Sequence, residues 1–211
     1  MKYLKIASGD ITYKALIKQA ASYGKPVLLS TGMATFQEVQ TASRWVPEHL
    51  LTILHCVSSY PTPDAHANID QITKFKEFYR RVGYSDHTMG ISACIAAVAL
   101  GAKVIEKHFT LDNSKDYGDH PHSANPAQMA ELVEHARRIP QMYGSCDNPP
   151  CETEHKRFRR GGYAAHDMQA GDIVTEEDIL YLRPANLLPP HEYIGRRLDH
   201  DIKQGEALDG R

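Results

Sequence analysis

Val82-Gly83-Tyr84-Ser85-Asp86-His87 leads into Ile91 to Leu100, an almost wholly apolar, alanine-rich run, and then into Lys103-Val104-Ile105-Glu106-Lys107-His108. The order is strand, helix, strand, and a helix apolar all round must be buried against strands. Side chains alternate along a strand, so Glu106 and His108 share one face and Lys107 takes the other. Both strands end on residues that carry chemistry. If neighbouring strands present His87 and His108 at one rim, two imidazoles converge beside a carboxylate, the beginning of a divalent-metal site. With 12 histidines in the chain, either ring taken singly reads more readily as a hydrogen-bonded interior histidine than as a ligand.

The same alternation extends upstream. Residues 3–8 read as a strand, and 12–23 as a helix with Ile11, Ala15, Leu16, Ala20 and Ala21 at helical spacing. Val27-Leu28-Leu29-Ser30 is the second strand, followed by Thr35 as an N-cap with Glu38 three residues on. Leu51 to Val57 is the third strand and 69–80 the third helix; Val82 to Asp86 and Lys103 to His108 are the fourth and fifth strands, and Ala127 to Tyr143 a closing helix. Alternating β and α with short loops calls for a parallel sheet. Polar residues stand at the end of every strand: Ser8 and Asp10, Ser30 and Thr31, Ser58 and Tyr60, Ser85 and His87, Glu106 and His108. That clustering favours a barrel, whose chemistry collects at the carboxyl rim, over an open sheet.

The 211 residues are 42% hydrophobic and 24% charged, enough to bury a core, and the formal net charge of −2 points to neither nucleic acid nor an anionic membrane surface. No segment approaches a membrane span, and Met1-Lys2-Tyr3-Leu4-Lys5 already reads as a strand, so no cleavable signal is expected. Cys56, Cys94, Cys146 and Cys151 lack C-x-x-C spacing; the first two lie in apolar runs and read as buried thiols, which suits a reducing cytoplasm.

After Tyr143 the composition changes. Gly144 to Cys151 is turn-rich and reads as a linker. Beyond it come short pieces broken by two similar turns, Ala170-Gly171-Asp172 and Gln204-Gly205-Glu206, with Thr175-Glu176-Glu177-Asp178 as a capped helix start.

Lys5-Ile6-Ala7-Ser8-Gly9-Asp10, Leu28-Leu29-Ser30-Thr31-Gly32-Met33 and Leu54-His55-Cys56-Val57-Ser58-Ser59-Tyr60-Pro61, with the stretches around His87 and His108, come in the order and spacing of one enzyme family. The chain resembles the sialic acid synthases, the N-acylneuraminate synthase family, including relatives that make other nine-carbon ulosonic acids. The resemblance implies the carboxyl-terminal five βα units of a (β/α)₈ TIM barrel over residues 1–142, a linker over 143–156, and a small antifreeze-like (SAF, β-clip) domain over 157–211. It has three further units before the first strand, so these residues alone are expected not to turn over. The implied reaction condenses phosphoenolpyruvate with the open-chain aldehyde of an N-acylated mannosamine-type sugar and releases phosphate.

On the same correspondence His87 and His108 are metal ligands, for Mn²⁺ with Mg²⁺ or Co²⁺ as alternatives. Two protein ligands bind weakly, so metal occupancy is expected to depend on substrate. Lys5 meets the phosphoenolpyruvate, Ser8 and Ser85 hydrogen-bond it, and Glu106 positions a water or moves a proton. Tyr60, Asp119 and Asp10 face the sugar, Asp10 where many members have Glu. Arg183 is contributed over the barrel of a partner subunit in a homodimer. The loop Asp116 to Ser123 departs from the family's Gly-Pro-Asp pattern and adds His120 and His122, to which the resemblance gives no role. A non-catalytic binding or oligomerisation module stays open as the alternative. An aldolase of another family would need a Schiff-base lysine or a three-histidine site, and the sequence displays neither.

Overall fold

A computed structural model describes residues 2–144 and 158–209. Cys146, Cys151 and most of the expected linker lie outside the described residues. The chain divides into two compact units, residues 1–143 and 144–211.

The first unit is a parallel five-stranded sheet in the order β1-β2-β3-β4-β5: Leu4–Ile6, Val27–Ser30, Leu51–Cys56, Val82–Asp86 and Ile105–Lys107. A helix follows each strand, α1 Lys14–Ser22, α2 Phe36–Ser43, α3 Gln71–Lys76, α4 Ser92–Ala99 and α5 Pro126–Met142. Every residue of β3 and β4 is buried, as expected of inner strands covered on both faces, whereas the end strand β5 is only half-buried. Sequential order with no reversal is the winding of a barrel rather than of a doubly wound sheet. The sheet also curls. In a flat sheet β1 and β5 would stand about 19 Å apart, four spacings of ~4.8 Å, yet Lys5 Nζ of β1 lies 3.4 Å from Glu106 Oε2 of β5.

The core of the first helix follows the expected spacing only in part: Ile11 and Ala20 are buried, but Ala15 and Leu16 are exposed and Ile17 points inward instead. Ile17 and Ala20 of α1, Val39 and Ala42 of α2, Ile72 and Phe75 of α3, and Cys94 and Ala97 of α4 are buried against Val27, Leu29, Ile53 and Val82. Thr35 and Glu38 form the expected reciprocal cap of α2, and Asn125 with Gln128 forms another ahead of Pro126. Several expected elements come out shorter, among them the first strand, expected over 3–8 and confined to Leu4–Ile6, and the first helix, expected over 12–23 and spanning Lys14–Ser22. The third helix stops at Lys76 because the chain tightens into a turn that lays Phe78 edge-on against Phe36 and Tyr79 edge-on against Phe75. The fifth strand is confined to Ile105–Lys107, where Tyr84, Ser85 and Asp86 offer partners.

The second unit has its own core of Ala164, Met168, Val174, Ile179, Tyr193, Leu198, Ile202 and Leu208. β6 (Gly161–Ala164) and β7 (Ile179–Leu182) pair antiparallel. The two similar turns are bound reciprocally: Asp167 accepts from the Gln204 amide and Asp201 from the Ala170 amide, each at 2.8–2.9 Å. Met168 and Ile202 exchange backbone bonds between them. At Thr175 the expected helix is one 3₁₀ turn, Glu176–Asp178, capped by Thr175 and Asp178. The residues that follow, Ile-Leu-Tyr-Leu, are strand formers and pair with β6 instead.

Candidate active site

The strand ends of the first unit surround a cavity of about 530 Å³ lined by Lys5, Ser8, Ser30, Cys56, Ser58, Tyr60, Ser85, His87, Glu106, His108 and Asp119, among others. Register explains the gathering. Cys56 pairs with Ser85 and Ser85 with Glu106, so three consecutive strands present chemistry at one level. Strand alternation sends Lys107 the other way, where its ammonium, 1% exposed, binds the Asp86 carboxylate at 2.8 Å and the Thr88 carbonyl. Asp86 also accepts from Tyr84 Oη and the Thr88 amide. Burial works against that carboxylate, but Lys107 and Thr88 outweigh it and hold Asp86 below the usual carboxylate range. This pair ties β4 to β5 one residue short of His87 and His108.

Gly32, after β2, is set by space. A Cβ there would lie 2.3 Å from Ser58 Oγ and 2.8 Å from Ser8 Oγ. Without one, the Gly32 amide donates to Ser8 Oγ at 3.0 Å, and Ser8 donates to Cys56 Sγ. Next to it Met33 holds φ at 64°, a left-handed conformation uncommon outside glycine and characteristic of functional loops.

Four buried side-chain atoms around this mouth have no hydrogen-bond partner among the described residues: Ser30 Oγ, Ser58 Oγ, Glu106 Oε2 and His122 Nε2. The Lys5–Glu106 approach of 3.4 Å is an ion pair without hydrogen-bond geometry. Buried polar atoms are ordinarily satisfied, so several orphans around one cavity mark a place for a polar ligand. A second cavity, about 540 Å³, runs along β5 beside Met129, Leu132 and Val133 of α5; its walls are chiefly apolar and carry no histidine.

The rings of His87 and His108 lie 5.2 Å apart, centroid to centroid, with Tyr60 4.2 Å from His87. His87 Nδ1–H donates to the Val57 carbonyl at 3.0 Å, which leaves Nε2 with its lone pair free. Burial is the main force lowering the His87 pKa, with the neighbouring His108 adding to it. A neutral imidazole with a fixed tautomer is what a metal ligand needs, and the residues present fit a divalent cation.

The loop after β5 adds to the cluster. Ligand atoms of His108, Asp119 and His122 all lie within 4.8 Å of one another. His120, two residues away, is occupied otherwise: its Nδ1 meets Thr110 Oγ1 at 2.7 Å, and it packs edge-on against Tyr117. Lys5, Ser8, Tyr60, Ser85, His87, Glu106, His108 and Asp119 are thus brought together. Asp10, in the 3₁₀ turn after β1, is not among the residues that line the cavity, and Arg183 is exposed in the second unit. The sequence placed Ser30 and Ser58 at strand ends and His122 in the loop after β5 but gave none of the three a role; all three carry buried polar atoms without a partner.

The sequence profile of the NeuB family matches residues 1–148. The N,N'-diacetyllegionaminic acid synthase of Campylobacter jejuni is 34% identical over 99% of this chain and 66% of its own length. The N-acetylneuraminate-9-phosphate synthase of Mus musculus is 34% identical over 82% of this chain and 50% of its own. Among solved structures, the N-acetylneuraminic acid (sialic acid) synthetase of Leptospira borgpetersenii, in complex with citrate, matches with a TM-score of 0.70 and 38% identity over 75% of this chain and 57% of that one. The chain spans between half and two thirds of the length of these relatives. Because the family profile runs through the whole first unit, strand ends and loops included, the chain belongs to the NeuB family.

Proposed function

We propose that the mouth of the first unit serves a sugar-acid synthase reaction, in which phosphoenolpyruvate condenses with the open-chain aldehyde of an N-acylated hexosamine. The enol carbon attacks the aldehyde carbon, water adds to the oxocarbenium carbon left behind, and phosphate departs. The observation that carries this reading is the set of orphaned hydroxyls and one carboxylate around a cavity that also holds a lysine and paired imidazoles. Lys5 neutralises the anionic enolphosphate once it leaves Glu106, while Ser8 and Ser85 donate to the same ligand, as do Ser30 and Ser58. Glu106 then holds the attacking water or takes its proton. Tyr60 and Asp119 face the acceptor sugar; Asp10, outside the lining, keeps only a peripheral place. His87 and His108 hold a divalent cation, Mn²⁺ in preference to Mg²⁺ or Co²⁺. When bound, that cation supplies Lewis-acid polarisation and an acidified water.

The second unit is read as the SAF domain, carrying Arg183 to the mouth of a second copy in a homodimer. Alignment with the legionaminic acid synthase over 99% of the chain supports that reading.

The test is calorimetric titration of phosphoenolpyruvate into the Mn²⁺-loaded chain. Binding is expected, and Lys5→Ala should weaken it by roughly tenfold or more, the scale of a lost charge-assisted contact. No binding by the unaltered chain, or equal binding by the variant, would contradict the proposal.

A further inference from the structure

His122 is 2% exposed, and its Nε2 has no hydrogen-bond partner. Asp119 Oδ1 is 3.6 Å away, beyond hydrogen-bond reach. A ring atom buried and unpaired costs roughly 1–3 kcal/mol unless something outside the protein satisfies it. Its surroundings say what that is. His108 meets it edge-on with ring centroids 5.1 Å apart, Asp119 places one carboxylate oxygen 3.6 Å from His122 and the other 3.4 Å from His108 Nδ1, and Tyr60 packs edge-on against it at 6.1 Å.

The loop that carries His122 is built to hold it. Ser123 Oγ donates to the Asp119 carbonyl at 2.6 Å, Asn113 Nδ2 donates to the carbonyls of His120 and Ser123, and the Ala124 amide donates to the His108 carbonyl. The last bond fixes the loop to the very residue whose ring His122 meets. His120 anchors the other side through Thr110.

We infer that His122 is a third imidazole ligand, which with His108 and Asp119 lets this protein hold a transition-metal dication by itself, before any substrate arrives. Two imidazoles and a carboxylate within one ion's reach, with His87 adjoining, suit Mn²⁺, Fe²⁺ or Co²⁺ and leave positions open for substrate oxygens. The inference rests on the cation reading of His87 and His108 and replaces substrate-dependent occupancy with occupancy in the resting protein.

Binding of Mn²⁺ alone, followed by electron paramagnetic resonance of the free ion without phosphoenolpyruvate or sugar, separates the two claims. The unaltered chain is expected to bind one equivalent, and His122→Ala to raise the Kd by at least about tenfold, since loss of even an outer partner of a metal ligand costs 10–100-fold. His122→Phe, which keeps an aromatic side chain but offers no ligand nitrogen, should do the same, and its circular dichroism melt controls for folding. If His108→Ala abolishes binding while both His122 variants bind normally, this inference falls and the cation site stands. If none of the variants alters binding, both fall. Binding that appears only with phosphoenolpyruvate present would also overturn the inference.

Discussion

His55 shows how a single ring can set the pH range of the fold without touching the chemistry. It is buried at the end of β3, stacks on Tyr84 at 5.6 Å, and donates Nε2–H to the Ala67 carbonyl at 2.8 Å. Burial lowers its pKa from the ordinary 6.5, and the Ala67 bond offsets that only in part. A histidine held neutral in the fold contributes stability that is fully present above its unfolded pKa and is lost as pH falls through the folded value. The melting temperature should therefore drop between pH 7.5 and 5.5. His55→Gln, which keeps a donor and cannot titrate, should make that drop shallower; an unchanged slope would contradict the assignment. At this scale the sequence was readable wherever a period governed it. Strand alternation placed Glu106 and His108 together and turned Lys107 away. No period runs through the loop from Leu111 to Ser123, so His122 could not be told from His120 until loop hydrogen bonds separated a ring packed for structure from one left bare.

The pairing of β4 with β5 holds the two imidazoles in place, and it depends on the buried Lys107–Asp86 pair. Lys107→Met keeps the stem and removes the charge, leaving the Asp86 carboxylate buried without its cation. Breaking such a pair costs about 3–5 kcal/mol, so chemical denaturation should show a loss of that size. A loss within about 0.5 kcal/mol, as for an ordinary surface substitution, would show that water or a neighbour compensates. Gly83 works on the same element from the sheet side: a Cβ there would meet the Val104 carbonyl at 2.5 Å and Leu54 Cδ2 at 2.6 Å, which is why β4 carries a glycine at this point. Elements dominated by local pattern were legible almost to the residue, β2 and β4 among them. Those decided by packing were not. α3 ends early for the sake of two rings, and the acid-rich start at Thr175 lost its helix to the strand partner that Gly161–Ala164 provides.

For the first unit as a whole, the decisive observation is that the sheet curls until side chains of its first and last strands, Lys5 and Glu106, reach each other across one mouth. The sequence implied this curl only indirectly, through polar residues at every strand end, because closure is a property of the sheet and of no single strand. The second unit offered less to read. Its short strands and turns lack long periods, and only the repeated Gly turns, at Gly171 and Gly205 with φ of 97° and 82°, were plain beforehand. The central claim is that an enolphosphate and a divalent cation share the mouth of the first unit. It is tested most directly by phosphorus-31 relaxation of phosphoenolpyruvate in the presence of the Mn²⁺-loaded chain, since a paramagnetic ion accelerates relaxation only of nuclei held beside it. The account predicts strong enhancement with the unaltered protein and its loss with His108→Ala. Mn²⁺ bound to the protein with the phosphorus signal unaffected would contradict it.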